Sequence, residues 1–180
     1  IDAPDSWDRD KRRAGFSTRK GDVVKSRSEA LLANWLYYHG VEYEYEKPYC
    51  YDTRDELHSQ YHPDFYLPQI DAYLELYAVD AAGDSPFGQS YLDSMKWKNE
   101  LHQTHGTTLL FVTTHGLRTG EAFAYLTEEL PKRGIRFVIQ KDESLSQKDL
   151  TKDEKIILRA VEKIKKARKI MLCGLGASGI

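Results

Sequence analysis

Tyr61-His62-Pro63-Asp64-Phe65-Tyr66-Leu67 and Ala72-Tyr73-Leu74-Glu75-Leu76-Tyr77-Ala78-Val79 are separated only by the short run Pro68 to Asp71. Their apolar and aromatic spacing predicts two strands, from His58 to Leu67 and from Ala72 to Val79, with Pro68 in the link. Neighbouring strands joined at such a link can bring Asp64 and Glu75 together on one sheet face. Two close carboxylates repel unless a cation lies between them, and Mg²⁺ favours oxygen ligands with open water positions. Taken singly, Asp64 reads as a Pro-Asp turn residue and Glu75 as an outward-facing strand position.

Outward from this pair, Ser26 to His39 has helical spacing and Gly40 stops it. Val41 to Tyr51 carries valine and tyrosines at strand spacing. Gly83 to Gly88 reads as a loop, Gln89 to His105 as a helix stopped by Gly106, and Thr107 to Thr114 as an apolar strand. Glu121 to Arg133 reads as a helix and Ile135 to Ile139 as a short strand. The order implies an α/β domain with a mixed β-sheet flanked by helices. Residues 1–24 read as a flexible leader and 25–140 as the core. Residues 141–180 read as a linker, an amphipathic helix and the start of a further domain.

Several residues are candidates for chemistry. Glu29 shares a helix face with Leu32, Ala33 and Leu36, and a carboxylate there is costly unless paired. It also fits a capping box begun by Ser26. His62 lies beside the Asp64 run. On the helix from Gln89, residues Tyr91, Met95, Lys98 and His102 fall on one stripe, and Lys96 points away from it. The dense tyrosines from Tyr37 to Tyr66 could stack on bases, but they fit a core near a strand edge better. Asn99, His102 and His105 lack the hairpin an HNH nuclease needs. Arg159, Lys163, Lys165, Lys166, Arg168 and Lys169 make the other, basic face of the final helix, which could touch phosphates or simply be solvated. The glycine run from Gly174 lacks the lysine of a phosphate-binding loop, since Ile180 stands there.

The bulk numbers bound the reading. The 180 residues suit one domain. A formal net charge of −2 gives no overall electrostatic signature for nucleic acid, so any such contact needs a local patch or a metal ion. Two distant cysteines, Cys50 and Cys173, argue against a Cys-rich zinc site or a disulfide framework. No apolar run approaches a membrane span and no signal peptide is legible. A cytoplasmic setting without a membrane partner is expected. The start at Ile1 suggests a piece of something longer.

Lys25-Ser26-x-x-Glu29, Tyr43-x-Tyr45-Glu46-Lys47-Pro48-Tyr49, Tyr61-His62-Pro63-Asp64-Phe65, Tyr73-Leu74-Glu75 and Trp97-Lys98-x-x-x-His102 occur in that order. Over residues 20–140 this string resembles the PD-(D/E)XK nuclease module attached to some UvrD/Rep-type helicases. The resemblance implies a restriction-endonuclease-like fold and DNA phosphodiester cleavage dependent on Mg²⁺ (or Mn²⁺). It implies Asp64, Glu75 and Glu29 as metal ligands, with His62, Tyr91 and His102 assigned to substrate contact. The partners it implies are DNA and a helicase or NTPase module in the same or a partner chain. The motif expects lysine two residues after the glutamate, where Tyr77 stands. Lys98, on the inward stripe, is the expected replacement. The alternatives are a non-catalytic nucleic-acid-binding module on the same fold and an RNA-cleaving, secreted toxin.

Overall fold

The computed structural model describes residues 15–138. Its organising element is the strand Ala72–Tyr77, in which all six residues are buried. They are buried because the strand is interior to a four-stranded sheet and has a packed layer on each face. The elements are β1 (Phe16–Ser17), β2 (Val23–Val24), α1 (Arg27–Tyr38), β3 (Glu44–Tyr45), β4 (Phe65–Leu67), β5 (Ala72–Tyr77), α2 (Gln89–His105), β6 (Thr108–Thr113), α3 (Thr114–Thr119) and α4 (Glu121–Lys132). A 3₁₀ turn over Pro68–Ile70 joins β4 to β5. It ends on Asp71 at φ 45°, a left-handed conformation that aspartate tolerates better than most residues.

The sheet order is β3-β4-β5-β6. β4 runs antiparallel to β3 and β5, and β6 runs parallel to β5. The fold is therefore α/β, with a mixed sheet flanked by helices. The parallel pair needs a long crossover, which α2 supplies. On one face, Leu74 and Leu76 pack with Leu32, Trp35 and Leu36 of α1 and with Phe123, Leu126 and Leu130 of α4. Fully burying each such side chain contributes roughly 1.5–3 kcal/mol. The other face carries Tyr49, Tyr61 and Tyr73 beneath Trp97 and Leu101 of α2.

α1 starts where expected, because the Ser26 hydroxyl accepts the Glu29 N–H at 3.1 Å. It stops at Gly40, whose φ of 67° suits glycine. A Cβ there would lie 2.8 Å from the Val138 carbonyl oxygen, so the close approach also requires glycine.

Four expectations need correction. Residues 15–24, read as part of a flexible leader, contain the β1–β2 hairpin. The strand expected over Val41 to Tyr51 shrinks to Glu44–Tyr45, because Glu46 turns to φ 48° and Pro48 follows. The strand expected from His58 begins only at Phe65. The preceding backbone instead bonds to side chains: Tyr61 N–H donates to Thr53 Oγ1 at 2.7 Å, and the Gln60 amide to the Tyr49 and Tyr51 carbonyls at 3.1 Å. Residues 135–138 form no strand, although Val138 N–H donates to the His39 carbonyl at 3.1 Å. The short helix α3 went unread in the sequence. The helix expected from Lys152 and the glycine run from Gly174 lie outside the described residues.

Candidate functional site

The β4–β5 register pairs Phe65 with Leu74. Carried one residue further, it sets Asp64 opposite Glu75 on the face covered by α2. Asp64 lies just before β4 and is tied to the chain on both sides of that strand by both its groups. Its carbonyl accepts the Glu46 N–H at 3.1 Å, and its Oδ2 accepts the Leu76 N–H at 2.8 Å.

Glu75 is 1% exposed. Leaving such a carboxylate unpaired would be costly, and two donors hold it. The Tyr61 hydroxyl donates to Oε1 at 2.6 Å, and Lys98 Nζ donates to Oε2 at 2.7 Å. The ammonium also stands over the Tyr61 and Tyr77 rings, 5.3 and 5.8 Å from their centroids. The helical stripe thus carries Lys98 inward, with its side chain 23% exposed. Lys96 is 77% exposed and reaches only Glu100, at 3.6 Å.

The electrostatics follow from this crowding. Burial first, and the Glu75 charge next, hold the Asp64 carboxyl well above its usual range; the Leu76 N–H and Lys98 pull the other way. Burial also raises the Tyr61 and Tyr77 hydroxyls, with Glu75 adding to both, so each is a proton donor at any ordinary pH. Behind Tyr61, His102 is 2% exposed. Its Nδ1 meets Thr107 Oγ1 at 2.7 Å and its Nε2 faces the Tyr61 hydroxyl at 3.4 Å. Burial lowers its pKa to about 4, so the ring is neutral.

The other expected residues are distributed around this centre. Glu29 reaches Asp64 only through its field. Its own carboxylate accepts the Tyr45 hydroxyl at 2.5 Å and the Lys25 N–H at 3.1 Å. That places it beside the acid pair, engaged with α1 and β3 and not converging as a third ligand. It also completes only half a capping box, since the N–H it accepts belongs to Lys25 and not Ser26. The Tyr91 hydroxyl accepts the Ala78 N–H at 2.8 Å and so anchors the start of α2 to the end of β5. His62 is exposed. The burial of His102 puts it out of a substrate's direct reach, where it supports Tyr61.

Sequence reasoning missed the tyrosine hydroxyls. Tyr61 was legible only as core filling, yet its hydroxyl positions Glu75. Tyr73, Glu75 and Tyr77 alternate along one strand, and that spacing is the signal that could have exposed the arrangement.

The fit of this centre to a divalent cation rests on its donor chemistry. Among the described residues, no three His, Cys, Asp or Glu side chains converge as a metal-holding group. Mg²⁺, however, keeps several waters and is commonly held through one or two carboxylates. The Asp64–Glu75 pair supplies that set. Tyr77 is 1% exposed, and its hydroxyl, beside the Asn99 side chain, has no other hydrogen-bond partner among the described residues. The nearby Asn99 amide donates its N–H to the Met95 carbonyl at 2.8 Å. A buried hydroxyl with so few partners beside two carboxylates is one that a bound water would complete.

The fold and centre together define an α/β domain with a buried, lysine-paired acidic site on the two interior strands of its sheet. Comparison with protein-family models, with curated proteins and with solved structures gives no match. Among the described residues no helix is long and apolar enough to cross a membrane.

Proposed function

We propose that this chain is a divalent-metal-dependent nuclease domain of the PD-(D/E)XK type that hydrolyses DNA phosphodiester bonds. The observation that carries the reading is Glu75, buried opposite Asp64 and gripped by Lys98 and Tyr61. Asp64 and Glu75 would hold Mg²⁺ or Mn²⁺, with Glu29 shaping the field around them. Bound there, the ion would polarise the phosphate and make a nucleophilic water available near neutral pH. Tyr61 fixes the Glu75 rotamer. Lys98 takes the place of the lysine that Tyr77 displaces, offering a cation beside the acids from the helix side. The Tyr77 hydroxyl is placed to hold a water near the pair. DNA is the proposed partner, and a helicase or NTPase module the proposed companion.

The test compares degradation of supercoiled plasmid, single-stranded DNA and structured RNA in Mg²⁺, Mn²⁺ and EDTA. Metal-dependent loss of DNA supports the reading. Cleavage of RNA alone would convert it to the toxin alternative. A non-catalytic nucleic-acid-binding module draws support from one observation: the Lys98–Glu75 ion pair at 2.7 Å already compensates the buried charge without any metal. Binding without cleavage in every metal would favour that reading.

A further inference from the structure

A cleft of about 810 Å³ opens beyond the carboxyl ends of β5 and β6. That size falls within the range of small-ligand pockets, roughly 300–1,000 Å³. Its position matters as much. Val79 and Asp80 follow β5, Thr114 follows β6, and ligands of open α/β sheets gather where parallel strands end. Glu75 lies two residues before the end of the same strand, on the face that α2 covers, while Leu31 and Leu117 of the cleft belong to the leucine face, so a strand crossing the end of the sheet would pass from one to the other.

The lining has three chemistries. Leu31, Val79 and Leu117 make an apolar floor, with Val79 and Leu117 only 6% and 2% exposed. The floor is braced, because Thr114 Oγ1 donates to the Val79 carbonyl at 3.3 Å and His115 N–H to the same oxygen at 3.4 Å. Arg27, at the first position of α1, and Arg118, on α3, bring two guanidinium groups to the walls. Arg118 has no ion-pair partner among the described residues. Two acids also line the cleft, but Asp80 is occupied with its own loop: its Oδ1 accepts the N–H groups of Ala82 at 2.8 Å and Asp84 at 3.0 Å. Asp84 is left to meet a ligand N–H.

We propose that this cleft is a nucleotide subsite for the DNA strand flanking the cleaved bond, an inference that rests on the nuclease reading. Arg27 and Arg118 take the phosphate, since guanidinium forks match its oxygens. The base lies over the aliphatic floor, which offers it a dry surface and no ring to stack on, and an amino-bearing base finds the Asp84 carboxylate. A free inorganic anion would have no use for the floor, and an apolar peptide none for the arginines.

The test is fluorescence anisotropy of a short fluorescein-labelled single-stranded oligodeoxyadenylate, titrated with the full chain in EDTA. Arg118→Glu changes an exposed residue. Arg27→Glu puts an acid in the first turn of a helix, where the dipole favours it, so both variants should fold. Each should weaken binding roughly tenfold and lower the log–log salt slope by about 0.7 for each phosphate no longer neutralised. Lys132→Glu, on exposed α4 surface, controls for net charge. Equal losses in all three variants, no loss in the arginine variants, or no binding by the wild type would each overturn the subsite. Metal-dependent cleavage by the wild type is scored separately. Cleavage with unaltered binding by the arginine variants therefore sinks the cleft and spares the nuclease. Arginine-dependent binding without cleavage does the reverse.

Discussion

The two faces of β5 answer to different physics. Leu74 and Leu76 point into a layer of leucines, Trp35 and Phe123, where the sequence supplies mainly apolar volume, although the Trp35 Nε1 and the His39 Nε2 stacked beside it are also buried without a partner among the described residues. Tyr73, Glu75 and Tyr77 point into a layer of hydroxyls, a carboxylate, a lysine and a neutral histidine. The first face is stabilised by what it excludes from water. The second must satisfy each polar group one by one, and the Tyr77 hydroxyl has only the Asn99 side chain beside it. Keeping a carboxylate 1% exposed at the centre of such a layer costs stability, a cost that the proposed metal site would explain.

The largest effect should come from Asp64. Asp64→Ala should lower metal-dependent DNA cleavage by at least about 10³-fold, or about 4 kcal/mol on the barrier, the scale of losing a group that stabilises the transition state. The fold should survive, as read by circular dichroism. Asp64→Asn should melt above the wild type at neutral pH without metal. Burial and Glu75 oppose ionisation of this carboxyl in the folded state, so its charge works against folding. Wild-type cleavage by Asp64→Ala would remove the distinction between the faces.

The opposite face should respond in stability instead. Leu74→Ala removes a fully buried side chain and should cost about 3 kcal/mol in denaturant unfolding. The activity of the fraction still folded should change little. A selective loss of activity at full stability would show that the leucine face also shapes the site.

Next comes the lysine. Lys98→Met should reduce cleavage roughly 100-fold per folded molecule, a value within the range for removing a catalytic group. Lys96→Met, whose partner is the exposed Glu100, should lose almost nothing. Lys98→Arg should recover part of the activity if charge placement is the role. Equal, small effects at both positions would end the migrated-lysine idea.

How far this contrast was legible depends on periodicity. The leucine face, the bounds of α2 and the inward stripe carrying Lys98 follow from spacing alone, because helices and strands repeat at fixed periods. The segment from residue 47 to residue 63 does not. Besides the Tyr49 N–H to Tyr61 carbonyl bond, its backbone is held largely by the side chains of Gln60 and Thr53, and no local period encodes such contacts. Tyr61 reaches Glu75 from inside that segment, so its role depended on a loop path that spacing cannot supply. The Arg27–Arg118 cleft was hidden for a similar reason: its walls are far apart in sequence and meet only when β5 and β6 lie parallel.

The smallest effect is a pH dependence confined to the polar face. His102 has its pKa lowered from the usual 6.5 to about 4 because burial disfavours the charged ring. The unfolded chain therefore takes up a proton near pH 6.5, while the folded chain resists until about pH 4. Above the upper value neither state is protonated and the group is neutral towards stability. As pH falls through the window, the unfolded state binds more protons and stability is lost. The loss should reach about 2 kcal/mol at pH 5. Other groups titrate in the same range, so the informative quantity is the difference between wild type and His102→Gln. Glutamine has an amide to offer Thr107 and the Tyr61 hydroxyl but no proton to gain. The variant should be the less stable protein at pH 7, through imperfect packing, and should narrow or reverse that gap by pH 5 in calorimetric melting. A gap that stays constant with pH would mean that His102 is not held neutral by its burial. The support it gives Tyr61, and through Tyr61 to Glu75, would then have to be argued from packing alone.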